Sequence, residues 1–278
     1  PNTAPSIEVP SEQLSGQIGG NSIPLSSIGF SDVDVADNAS SAKNMLEIST
    51  TSGSFSPIVP SNAQDTGETF DHDDNNSTNA LPIKSFSLDS NTYYFIAKNS
   101  ENEEFLEFLS PKNADDLSQG FLSSNLTISG IGEQFLSLEG NVASIKAALS
   151  IIGLKGKDAE IANLSVQAFD DLDLVSEKKT FQVNFDLGTP KKPTVPDGIA
   201  SGVSLEELQG GFQVSVDIKG TGVKAGNQLK LLVSKDSGSF QELATSSKIL
   251  NSSEVETGII NFLITDDILP SQGTYVFK

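Results

Sequence analysis

Ile161-Ala-Asn-Leu164-Ser-Val-Gln-Ala-Phe169 alternates apolar and polar side chains, and Asp170-Asp171-Leu-Asp173 follows it at once. A period of two over this length is the pattern of a half-buried β-strand. The same kind of run recurs on both sides, separated by Gly, Ser, Asn and Asp clusters. Candidate strands are Ser6–Pro10, Ile23–Phe30, Met45–Thr50, Leu81–Leu88, Thr92–Ala97, Leu126–Ile131 and Thr180–Asp186. Many short strands with turn chemistry between them predict an all-β fold of the sandwich type.

One segment departs from this pattern. In Asn141-Val-Ala-Ser-Ile145-Lys-Ala-Ala-Leu149-Ser150, the residues Val142, Ile145, Ala148 and Leu149 share one face of a short helix. Gly140 and Asn141 precede it and Gly153 follows, which suits its start and stop. Farther on, Pro190, Pro193 and Pro196 predict a stiff linker over 189–196. A second β pattern follows it: Phe212–Ile218, Gln228–Ser234, Gly258–Thr265 and Thr274–Phe277. The expected organisation is therefore two tandem β-sandwich domains, 1–188 and 197–278, the second lacking its last strand. Residues 60–125 form an insertion in the first domain. Its aromatic density (Phe86, Tyr93, Tyr94, Phe95, Phe105, Phe108) predicts a small β core of its own.

The composition excludes several functions. The 278 residues carry a net charge of −20, and all 17 basic residues are Lys. Without Arg, and with a field that repels polyanions, nucleic acid is not an expected partner. Anionic membrane surfaces are disfavoured for the same reason. No apolar run is long enough to span a bilayer as a helix. There is no Cys, so neither a disulfide nor a thiolate site exists. The single histidine, His72, excludes a two-histidine metal arrangement, and its place in a polar loop argues against a Ser-His-Asp triad, so an enzyme is not expected. The acidic pairs Glu103/Glu104 and Asp115/Asp116 read as solvated surface, because nothing sets two of them across a cleft. The start at Pro1-Asn-Thr-Ala-Pro5 reads as a piece of something longer.

What remains is a set of oxygen ligands. Asp32, Asp34, Asp37 and Asn38 follow a candidate strand, and alternation would send Asp32 and Asp34 to one side. Asp170, Asp171 and Asp173 close another strand, and Glu12 offers one more carboxylate. Two carboxylates about 5 Å apart repel by roughly 3 kcal/mol at an effective dielectric of about 20. Such groups call for a cation, protonation or water. Oxygen-only donors suit Ca²⁺ before Mg²⁺ or a transition metal; the same composition also suits solvated turns. Asp71-His-Asp73-Asp74-Asn75-Asn76 opens like a calcium loop, but Asn76 and Pro82 stand where an EF-hand needs Gly and Glu. Tyr94, on the strand face opposite Tyr93 and Phe95, is a candidate contact for a glycan or peptide.

Together, Asn2-Thr-Ala-Pro5, Gly29-Phe30-Ser-Asp32-Val-Asp34, Leu138-Glu-Gly140 through Leu149, and Leu164 through Asp171 resemble the cadherin-like tandem repeats of large bacterial adhesins. These are surface proteins exported by type I secretion, RTX adhesins among them. Residues 194–278 resemble a bacterial immunoglobulin-like repeat, on Gly220-Thr-Gly-Val-Lys-Ala-Gly226-Asn-Gln-Leu and Gln272-Gly-Thr-Tyr275-Val-Phe. The resemblance implies Ca²⁺ at Asp32, Asp34 and Asp170, with Asp171, Asp173 and Glu12 as further ligands. It implies an extracellular, monomeric, calcium-stiffened extender on a bacterial cell surface, acting in adhesion or biofilm formation beside neighbouring repeats of its own chain. A module that binds a cell-surface glycan or peptide through 60–125 is the alternative.

Overall fold

The computed structural model describes residues 3–34, 43–71, 80–99, 104–172, 174–196, 205–266, 268–269 and 274–278. The fold is all-β, and the chain divides into two compact units, Pro1–Asp186 and Leu187–Lys278.

The first unit begins with β1 (Ser6–Glu8), β2 (Leu14–Gln17), β3 (Ile23–Pro24), β4 (Gly29–Ser31), β5 (Asn44–Thr50) and β6 (Ser54–Pro57). The insertion supplies β7 (Gln64–Phe70), β8 (Leu81–Leu88), β9 (Asn91–Asn99), β10 (Glu104–Pro111) and β11 (Phe121–Ser123). The chain continues through β12 (Thr127–Ser129), β13 (Phe135–Gly140), helix α1 (Val142–Ile151), β14 (Ile152–Lys155), β15 (Ile161–Phe169) and β16 (Lys179–Asp186).

The main layer is a six-stranded sheet in the order β12-β13-β5-β15-β16-β2. Its centre is β5, paired antiparallel with β13 on one side and β15 on the other. Alternation sends Leu46 and Ile48 of β5, Leu136 and Leu138 of β13, and Leu164 and Val166 of β15 to one face, all fully buried. Burying each such side chain contributes about 1.5–3 kcal/mol relative to exposure. Across this core lie the sheet β3-β14-β6, the pair β1-β4 and α1, which add Phe55, Leu154, Ile7, Phe30, Ile145 and Leu149 to the same cluster.

The candidate strand Ile23–Phe30 is two strands. A 3-10 turn at Leu25–Ser27, capped by Pro24, interrupts it. Helix α1 starts where Asn141 predicts, with the Asn141 side chain accepting the Ser144 N–H at 2.7 Å. It ends without a glycine: Ile152 is already extended, and Gly153 belongs to β14.

The insertion is an antiparallel sheet in the order β11-β10-β9-β8-β7. One face delivers Phe86, Phe95 and Phe108 to the main core, while the other gathers Ile83, Ile96, Leu109 and Phe121 into a smaller cluster. Tyr93 stacks on Phe86 with ring centroids 5.5 Å apart.

The second unit contains α2 (Leu205–Gly210), β17 (Phe212–Asp217), β18 (Gln228–Lys235), β19 (Gln241–Ile249), α3 (Ser252–Thr257), β20 (Ile259–Ile264) and β21 (Tyr275–Phe277). The pair β17-β20 and the sheet β19-β18-β21 bury Val214, Leu231, Ile260 and Ile264. The proline-rich stretch is tied to this unit. Gly188 N–H donates to the Thr221 carbonyl, Lys191 N–H to Asp217, and Thr194 and Ser215 exchange both bonds. Pro190 and Pro193 lack an N–H, and the residue after each supplies the bond instead.

Asp217 reinforces the tie. Lys191 Nζ lies 2.6 Å from Asp217 Oδ2, and Lys219 N–H donates to Oδ1 at 2.9 Å. The Lys191 bond, then the Lys219 backbone bond, hold this carboxyl below its usual range. A depressed folded pKa contributes stability that is present above the unfolded value of about 3.9. That contribution is lost as pH falls through the lower folded value. In thermal melts, Asp217→Asn is therefore expected to melt below the unsubstituted chain at pH 6, with the gap closing as pH drops under about 4.

Candidate metal centre

The core rows of the main sheet end in polar residues. Stepping back by two from Ile48 and Leu46 along β5 leads to Asn44, which is 1% exposed. On β15, Phe169 pairs with Met45, and the next residue, Asp170, is 5% exposed. Asp170 therefore ends its strand beside the start of β5, on the face that carries Val166 and Ala168. On the opposing pair, Phe30 of β4 is buried, and two residues later Asp32 is 5% exposed. Asp32 and Asn44 flank the connection between β4 and β5.

These three side chains are satisfied unequally. Asp170 Oδ1 accepts the backbone N–H groups of Leu172 at 2.9 Å and Leu174 at 2.8 Å. Leu174 returns its carbonyl to the Asp170 N–H at 3.1 Å, closing a tight loop. Asp32 Oδ1 accepts one bond, from the Asp34 N–H at 3.1 Å, and its buried Oδ2 has no partner among the described residues. Asn44 has none for either Oδ1 or Nδ2. Buried polar atoms without partners are rare and individually call for a physical explanation.

The expectation that Asp32 and Asp34 share one side does not hold. The Asx bond from the Asp34 N–H to Asp32 turns the chain, and the period of two stops there. Asp34 is exposed, and its Oδ2 accepts the Thr3 N–H at 2.5 Å and the Thr3 hydroxyl at 2.7 Å. The hydroxyl bond, then the backbone bond, lower its pKa. Its place in the fold is to anchor the segment entering β1.

The other sequence candidates are scattered. Asp171 is exposed in the loop after β15. Glu12 is exposed just before β2, whose Leu14 pairs with Val183; Val183 in turn pairs with Ala162, at the far end of β15 from Asp170. At about 3.3 Å per residue, Glu12 sits on the order of 20 Å along the sheet from Asp170. Asp37, Asn38, Asp173 and the His72–Asn76 stretch lie outside the described residues. Among the described residues, no three His, Cys, Asp or Glu side chains gather at one point. The register brings Asp170 beside Asn44, and this amide, which continues the β5 core row, is the group sequence reasoning passed over.

Tyr94 is half-buried. Its ring meets Phe121 at 5.3 Å between centroids, within the outer cluster of the insertion. A cleft of about 340 Å³ opens elsewhere in the first unit, where Glu8, Ser31, Asp89 and Lys146 line it. Among the described residues, no helix is long and apolar enough to cross a membrane. No protein-family profile matches the chain, and no curated protein matches it either.

Hydrogen bonds to a charged acceptor contribute about 1.5–3 kcal/mol each. Asp170→Ala removes the acceptor of two, and is expected to destabilise the first unit by about 3–6 kcal/mol in denaturant titrations without added metal. Asp170→Asn, which keeps one acceptor oxygen, is expected to lose less.

Proposed function

We propose that this chain is a calcium-binding extracellular module of a bacterial surface adhesin, in which the ion stiffens the first unit so that it serves as an extender. The buried Asp32 carboxylate carries this reading: one of its oxygens lacks a partner among the described residues, and Asp170 is buried at the end of another strand of the same unit. An ionised carboxylate is costly to bury unless a charge or strong donors meet it. A divalent cation answers that need with the donor type present, hard oxygen. The chain-wide excess of 37 acidic over 17 basic residues favours cations over anions as ligands. The cadherin-like resemblance of the sequence around Asp32 and Asp170 supports the same assignment and supplies its extracellular, adhesive context.

Extracellular calcium modules bind with dissociation constants of about 0.1–1 mM. At free calcium ten- to a hundredfold above that, one site adds about 1.4–2.7 kcal/mol to folding. For a unit of this size the melting temperature should rise by about 3–10 °C. Differential scanning calorimetry of the whole chain, in excess EGTA and in 10 mM CaCl₂, measures this. A melt that does not respond to calcium overturns the reading.

A further inference from the structure

We propose that Asn44 is a ligand of the same cation site, its side-chain carbonyl oxygen joining the carboxylates of Asp32 and Asp170. This inference rests on the calcium reading above and adds to it a residue outside both acidic motifs. Asn44 is almost completely buried, at 1% exposure, and neither atom of its amide has a hydrogen-bond partner among the described residues. An amide placed this way is costly, because each unmet group has given up water without gaining a partner. An apolar residue would continue the row of Leu46 and Ile48 without that cost.

Position and chemistry agree. Asn44 opens β5, and the pairing of Phe169 with Met45 brings the start of β5 beside Asp170. Side chains directly opposite on antiparallel strands sit about 4.5–5.5 Å apart at Cβ, close enough to share an ion. Asp32 follows β4, at the other end of the β4–β5 connection, and its buried Oδ2 has no partner among the described residues. Two carboxylates and one neutral amide oxygen match a divalent charge and leave coordination positions for water, as Ca²⁺ tolerates and as its 6–8 oxygen ligands require. With Oδ1 on the ion, Nδ2 would donate to an oxygen of the ion's hydration shell or of the carboxylates. Loss of one first-sphere oxygen from such a site should weaken the ion at least tenfold.

The test is a CaCl₂ titration of the whole chain, followed by calorimetry, for the unsubstituted protein, Asn44→Leu and Asn44→Asp. Asn44→Leu is expected to bind calcium at least tenfold more weakly while melting at or above the unsubstituted temperature in EGTA, because it removes two unmet polar atoms. Asn44→Asp is expected to shift both readouts the other way, with tighter calcium and a lower melting temperature in EGTA. A folded Asn44→Leu that keeps the unsubstituted affinity overturns the inference and leaves the calcium reading standing. Should Asn44→Leu fail to fold, an unchanged calcium affinity in Asn44→Asp overturns it instead. An unsubstituted protein that ignores calcium overturns both.

Discussion

The pairing of β5 with both β13 and β15 is the constraint on which the first unit depends. Leu46 and Ile48 face the core only because Leu138 stands opposite Leu46, Leu136 opposite Ile48, and Val166 opposite Ile48 on the other side. A slip of one residue would turn every one of these side chains to the outer face. The register that secures the core also determines what lies at its end. Counting outward by two, the apolar rows reach Asn44 on β5 and Asp170 on β15. The polar end of the core is thus a consequence of the same alternation that makes the core dry.

The insertion solves a different problem. A sheet with one wet face would alternate apolar and polar residues, but β8, β9 and β10 put apolar side chains on both faces. Phe86, Phe95 and Phe108 serve the main core, and Ile83, Ile96 and Leu109 serve the outer cluster. The edge-to-face contacts of Phe86 with Phe95 and Phe108 let large rings fill the seam without Trp. The insertion is continuous with the main core on one side and has apolar cover of its own on the other.

Much of this was legible in the sequence, and the exceptions have physical causes. Leu81–Leu88 and Ile161–Phe169 keep their expected bounds because turn chemistry stands at both ends. Ile23–Phe30 breaks at Leu25 because Pro24 directs the chain into a 3-10 turn, which apolar spacing alone does not reveal. β7 and β19 are polar along most of their length (Gln64-Asp-Thr-Gly-Glu-Thr-Phe70 and Gln241-Glu-Leu-Ala-Thr-Ser-Ser-Lys-Ile249), so no hydrophobic period announces them. In the candidate site, Asp32 and Asp170 were visible as acidic residues after apolar strands. Asp34 was visible too, but the Asx turn after Asp32 takes it to Thr3. Asn44 lay one residue outside the expected strand Met45–Thr50. Extending the period of Leu46 and Ile48 by one step would have placed it in the core.

The three buried groups differ in what already holds them, and that difference indicates where an ion would act. Asp170 has backbone donors from its own loop, so the β15 end is closed without help. Among the described residues, Asp32 is half-satisfied, and Asn44 not at all. In the proposed reading the unmet demand therefore lies on the β4 and β5 sides, between residues of the two facing layers. Hydrophobic burial along the rows draws those layers together but is non-directional. A cation held from β4, β5 and β15 at once adds a directional link where the apolar rows stop. Its effect should be concentrated at that end of the unit rather than spread through a core that is already dry.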